Sequence, residues 1–147
     1  MKQVFFCVLI CGCASLPANA SAHPDFTGNW QFDTAKSEVH TKAPPSSWDI
    51  RQTDDSISIS EQLQGKTESM TCEISPRACK TKVDGKSAEV SFYFNGDMLV
   101  ETDLLGRGKD RVVKKRLKLA ADGKTLEIEV MHISPVAPAE KWVFEKR

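Results

Sequence analysis

The chain of 147 residues carries 20 basic and 20 acidic side chains, 40% hydrophobic residues and a formal net charge of +0. A balanced charge excludes a global field that would draw the protein onto nucleic acid or acidic lipid. The length accommodates one core and leaves little room for a second.

The N-terminal segment reads MKQVFFCVLICGCASLPANASAH. Lys2 precedes an apolar run from Val4 to Cys11, and small residues follow as far as Ala20-Ser21-Ala22. Such a pattern predicts a secretory signal over 1–22, too short and too weakly flanked for a transmembrane helix. Ala18-Asn19-Ala20 and Ala20-Ser21-Ala22 both offer cleavage sites, with a soluble product beginning near His23. The lipobox-like Ile10-Cys11-Gly12-Cys13 leaves a lipid anchor on Cys13 as the alternative. The expectation is an exported, periplasmic or secreted protein whose single domain covers 23–147. Its two remaining cysteines, Cys72 and Cys79, have the arithmetic of a disulfide. A redox pair would favour Cys-x-x-Cys near a helix start, which is absent here.

From Trp30 onward apolar and polar residues alternate with a period of two between closely spaced turn residues, and no stretch has helical periodicity. This predicts an all-β domain, and turn positions then fix which residues face each other. A turn at Asp54-Asp55 sets Ile50 against Ile59 and Trp48 against Glu61. One at Gly65-Lys66 sets Ile59 against Cys72, and one around Ser75-Pro76 sets Cys72 against Cys79. Asp84-Gly85 pairs Cys79 with Val90, and Asp122-Gly123 pairs Leu119 with Leu126. At Asn95-Gly96 a two-residue turn opposes Val90 and Glu101, so a three-residue loop to Asp97 is favoured, matching Phe92 to Val100. These registers keep apolar residues on one face and predict a single antiparallel up-and-down meander of about eight to ten strands. Closing it into a β-barrel removes the raw edges.

The opening stretch Phe26-x-Gly28-x-Trp30, set before such a meander, resembles the lipocalin and calycin superfamily. It is most similar to short secreted bacterial lipocalin-like proteins beginning FTGxWxxxxxKS, matched here as far as Lys36-Ser37 and again by the last strand, Lys141 to Lys146. The second lipocalin motif, Thr-Asp-Tyr, is echoed only as Thr102-Asp103-Leu104. The resemblance implies that Trp30 plugs the closed end of the barrel beneath a basic residue, Lys146 or Arg147. Gly28 would permit the tight entry into the strand.

The same registers place Gln52, Glu61, Glu68, Thr81, Thr102, Arg111, Lys115 and His132 on the inward face. Ionised groups are seldom buried without partners, so a face carrying these is not dry throughout. Ends of a small barrel also simply reach water, which accounts for polar residues there. The functional reading is a polar-mouthed pocket. Arg111 and Lys115 orient an anionic group, Trp48 and Phe92 line an apolar cavity, Glu61 holds Arg111 when the site is empty, and His132 sits in mid-barrel.

The basic run from Arg107 to Lys118 divides on these registers. Outward Arg116 and Lys118 face Glu129 and Glu127, with Glu101 and Asp103 outward on the other side. A charge-paired solvated face results, and nucleic-acid binding is not expected. No nucleophile has a base at recognisable spacing and no metal-ligand cluster occurs, so no catalytic residue, metal or cofactor is assigned. The leading expectation is an exported lipocalin-like protein that binds a small, partly apolar, anionic ligand. A periplasmic inhibitor or envelope accessory protein, using the barrel as scaffold, is the alternative, and an enzyme comes third.

Overall fold

The computed structural model describes residues 22–40 and 44–147; the signal expected over 1–22, with Cys13, lies outside the described residues except for its last position. Ten strands follow one another: β1 (Gly28–Phe32), β2 (Ser47–Gln52), β3 (Ser56–Leu63), β4 (Lys66–Glu73), β5 (Ser75–Val83), β6 (Lys86–Asn95), β7 (Met98–Leu105), β8 (Arg111–Leu119), β9 (Thr125–Ser134) and β10 (Ala137–Lys146). They form one antiparallel sheet in the order β4-β3-β2-β1-β10-β9-β8-β7-β6-β5, in which β1 pairs with β10. The result is a nearly closed up-and-down barrel that fits a lipocalin-like calycin fold. No helix among the described residues is long and apolar enough to cross a membrane.

Several expected registers hold. Ile50 opposes Ile59 and Trp48 opposes Glu61; Cys79 opposes Val90; Leu119 opposes Leu126. The β3–β4 turn lies at Gln64-Gly65, not Gly65-Lys66, which slides the ladder by two residues without changing faces. Ile59 then meets Met70, and Ile57 meets Cys72.

The β6–β7 hairpin differs in kind. Its loop is Gly96-Asp97, with Asn95 opposite Met98 and Phe92 opposite Glu101, not Val100. Gly96 has φ of 64° at the first central position, where a two-residue hairpin turn calls for glycine. The one-residue change of register reverses β7. Leu99, Glu101, Asp103 and Leu105 are buried, while Thr102, expected inward, is only partly so. An apolar-in rule rejects this register because it buries two acids. Lys115 on the next strand compensates, since its Cα partner is Glu101.

The barrel closes incompletely. β4 and β5 stand at the two ends of the sheet, so Cys72 and Cys79 are not partners in a ladder as expected. Pro76, which has no N–H to donate, lies where the β5–β6 register shifts between Ser75 and Cys79. The Cys72–Cys79 disulfide, with Cα atoms 5.8 Å apart, ties the seam together. A bridge between Ile74 and Phe92 and a bond from the Asp84 N–H to Glu68 Oε2 (2.7 Å) complete it.

One end of the barrel is filled. Phe26, Trp30, Trp48, Ile50, Phe92, Leu117, Ile128 and Phe144 are almost wholly buried together. The segment before β1 crosses this end: Gln52 accepts from the Phe26 N–H and donates to the Pro24 carbonyl, and the His23 ring stacks on Phe94. Gln52, expected inward, is thus engaged in holding the plug. The Trp30 indole donates to the Phe26 carbonyl at 2.9 Å, and Lys146 Nζ lies 5.3 Å from the Trp30 ring centroid. At Gly28 a Cβ would stand 2.6 Å from Lys146 Cε, so the glycine makes room for the lysine that covers the tryptophan. The Lys36-Ser37 pair has a structural task too. β1 ends at Phe32, and Ser37 Oγ takes up the Val143 N–H of β10 while Lys36 reaches Glu145.

Candidate functional site

The opposite end of the barrel holds a cavity of about 330 Å³. Leu63, Val83, Leu105, Val113, Val130 and Trp142 give it apolar walls, Asp103, Glu61 and Lys115 its polar floor, and Arg111 and His132 its upper rim. Alternation along each strand explains the convergence: Arg111, Val113 and Lys115 are successive inward positions of β8, as Asp103 and Leu105 are of β7.

The floor is ionic. Lys115 Nζ lies 2.8 Å from Glu101 Oε1 and 3.0 Å from Asp103 Oδ2, and all three residues are almost completely shielded from solvent. Glu61 approaches from β3 across the barrel and lines the cavity. Burial pushes its carboxyl above the ordinary 4.5, Lys115 opposes the rise, and Asp103 adds to it. Burial first and then Asp103 drive the Glu101 carboxyl well above that value, against the pull of Lys115. For Lys115, burial acts downward, but Asp103, Glu101 and Glu61 together outweigh it and hold the ammonium charged well above 10.5. Three carboxyl groups thus surround one ammonium. Glu101 Oε2 and Asp103 Oδ1 meet no N–H or hydroxyl donor. A proton retained by Glu101 lets the two carboxyl groups hydrogen-bond each other.

A second polar chain runs along the wall. His132 Nε2 lies 3.0 Å from Glu140 Oε1, and the Trp142 indole donates to Glu140 Oε2 at 2.9 Å. Glu140 is buried. It fixes both the imidazole at the rim and the indole in the wall. Ser134, two residues from His132, donates its hydroxyl to the Asp110 carbonyl, so the rim's serine is not paired with the imidazole.

Of the residues proposed from sequence, Glu61, Arg111, Lys115 and His132 meet around this one cavity. Trp48 and Phe92 do not line it. Both are almost wholly buried in the hydrophobic cluster that fills the rest of the barrel. Trp48 still touches the site from below, since Lys115 Nζ lies 5.9 Å from its ring centroid. Arg111 is exposed at the rim and, among the described residues, forms no ion pair with Glu61; the partner of Glu61 is the Lys115 cluster. Lys115 points inward as expected, yet its charge is taken up by Glu101 and Asp103. Outside the barrel Arg116 and Lys118 oppose Glu129 and Glu127 in the ladder as anticipated; Arg116 meets Glu129 at 3.1 Å, and the Lys118 ammonium lies 3.7 Å from Asp97.

Sequence reasoning missed Glu101, Asp103 and Glu140. Their signal was present: β7 reads Leu-x-Glu-x-Asp-x-Leu between apolar ends, and Glu140 has the same parity as Trp142. No protein-family model and no curated protein matches the chain, so the geometry carries the reading.

Proposed function

We propose that this protein is an exported, lipocalin-like carrier that holds a small, partly apolar molecule in the upper half of its barrel. The observation that supports the reading is a cavity of about 330 Å³, apolar in its walls and charged at its floor, above an otherwise filled interior. Void space of this size is uncommon in a barrel packed only for stability, because empty volume forfeits contacts. An anionic group on the ligand would find its cation in Arg111 at the rim, since Lys115 is already engaged by Glu101 and Asp103. The FTGNW opening supports kinship with the lipocalin-like proteins through its structural roles: a plug at Trp30, and Gly28 clearing space for Lys146.

Trp142 in the cavity wall is the reporter. Titration with 1-octanol should change its emission saturably, and Val113→Phe, which fills the cavity, should abolish the change. Absence of any saturable response in the unaltered protein would favour the second reading, an interaction protein. One feature supports that alternative: Ile133 near the end of β9 and Val136 in the β9–β10 turn, 50% and 86% exposed, stand beside the mouth.

A further inference from the structure

The cavity is more selective than its walls suggest. Among the described residues the buried side-chain polar atoms without a hydrogen-bond partner are Trp48 Nε1, Glu101 Oε2 and Asp103 Oδ1. All three belong to residues around Lys115, and of these Asp103 lines the cavity while Glu101 and Trp48 lie behind it. Unpaired buried polar atoms are rare in native proteins and need an explanation. Here two of the three are acceptors. Glu61 and Asp103 at the floor, with Glu101 behind them, set three carboxyl groups against the single ammonium of Lys115. The deficit is therefore one of positive charge and of donors.

We infer that the floor of the cavity is a subsite for the ammonium group of an organic amine, whose apolar body lies along Leu105, Val113, Val130 and Trp142. Glu61 is the residue that meets it, because its carboxyl group lines the cavity and, among the described residues, it feels the charge of Lys115 without a hydrogen bond or salt bridge to it. Asp103 flanks it at the floor. An ammonium ion brings three donors and one positive charge, which matches what the site lacks. A proton retained by Glu101 meets part of that need. An anion is disfavoured at this depth, since Lys115 is engaged and the remaining groups repel it. Arg111, at the rim, stays available for an anionic group on the other end of the same molecule.

This inference rests on the cavity being a ligand site, and the experiment separates the two claims. Isothermal titration calorimetry at neutral pH compares octylammonium, 1-octanol and octanoate, which share one apolar chain. Charge-assisted hydrogen bonds exceed neutral ones by enough that octylammonium should bind about tenfold tighter than octanol or more. Glu61→Gln should bring these two affinities to within about twofold of each other, and Asp103→Asn should shrink the ratio as well. Octanol or octanoate binding as tightly as octylammonium overturns the amine subsite and leaves the carrier reading intact. So does a ratio that neither variant alters. Should a variant fail to fold, the ratio in the unaltered protein decides. Failure of all three ligands to bind overturns the carrier reading, and the subsite with it.

Discussion

Glu101 and Lys115 face each other as Cα partners on β7 and β8, and their side chains meet inside the barrel at 2.8 Å. Attraction between such charges offsets a large desolvation cost, and the balance changes sign when one partner is removed. The pair therefore explains why β7 turns its acids inward, and it also marks the place where the barrel is most vulnerable.

Lys115→Met should be strongly destabilising, by roughly 3–5 kcal/mol in urea unfolding at neutral pH, because it leaves buried carboxyl groups without a cation. Replacing Glu101 and Asp103 with Leu and Asn in the same chain should recover most of that loss. A Lys115→Met protein as stable as the parent would mean that the ammonium is solvated and not engaged in the barrel.

This cluster also marks the limit of what the sequence disclosed. Hairpin registers were legible wherever apolar parity and turn residues agreed, as at Asp54-Asp55, Asp84-Gly85 and Asp122-Gly123. They conflicted at Gly96, where the favoured turn buries Glu101 and Asp103. Parity alone then chose the wrong loop, because the compensating Lys115 lies on another strand. The site was half legible for a related reason. Face parity identifies inward residues such as Glu61, Lys115 and His132, but it carries no information on depth. Trp48 and Phe92 share the face with the cavity residues and lie in the packed half. The unpaired β4–β5 seam was invisible, since turn spacing predicts neighbours and not where Pro76 and a register shift interrupt the ladder.

The pH dependence of stability follows from the same groups. Burial, then Asp103, holds the Glu101 carboxyl well above 4.5, and burial raises Glu61 likewise, while Lys115 opposes both. The folded protein thus keeps protons that the unfolded chain has released. Stability should fall as pH rises from about 5 through the folded values and then level off, the reverse of ordinary carboxylate behaviour. Lys115, raised by its three acidic neighbours, contributes stability that persists to about 10.5 and is lost above it. Urea midpoints at pH 5, 6, 7 and 8 should decline in the parent and decline less in Glu101→Gln. A parent whose stability climbs over that interval would contradict the assignment.

Trp30 closes the other end, and its burial predicts the cost of removing it. Trp30→Ala should destabilise the barrel by roughly 3–5 kcal/mol, as truncation of a core aromatic does. Gly28→Ala acts on the same contact from outside: its Cβ would displace the flexible end of Lys146, and a φ of 156° adds backbone strain for an L residue. A loss of about 1 kcal/mol is expected, with altered Trp30 fluorescence as Lys146 leaves the ring. A loss below about 1 kcal/mol for Trp30→Ala would show that the indole is not part of the plug.

Arg111 tests the rim independently of the floor. It begins β8 with its side chain exposed at the cavity mouth, so the fold does not depend on it. Arg111→Ala should leave the unfolding free energy within about 0.5 kcal/mol of the parent, as for other exposed positions. Its guanidinium offers a planar pair of donors to a carboxylate, and that advantage disappears in both Arg111→Ala and Arg111→Lys to different degrees. Octanoate should therefore lose several-fold in affinity with Ala and less with Lys, while 1-octanol binds as before. If octanoate binding is indifferent to Arg111, the rim contributes no anion contact, and the charge preference of the cavity resides in its floor. Equal losses for octanoate and octanol would instead point to a change in the shape of the mouth, which near-ultraviolet circular dichroism of Trp142 would register.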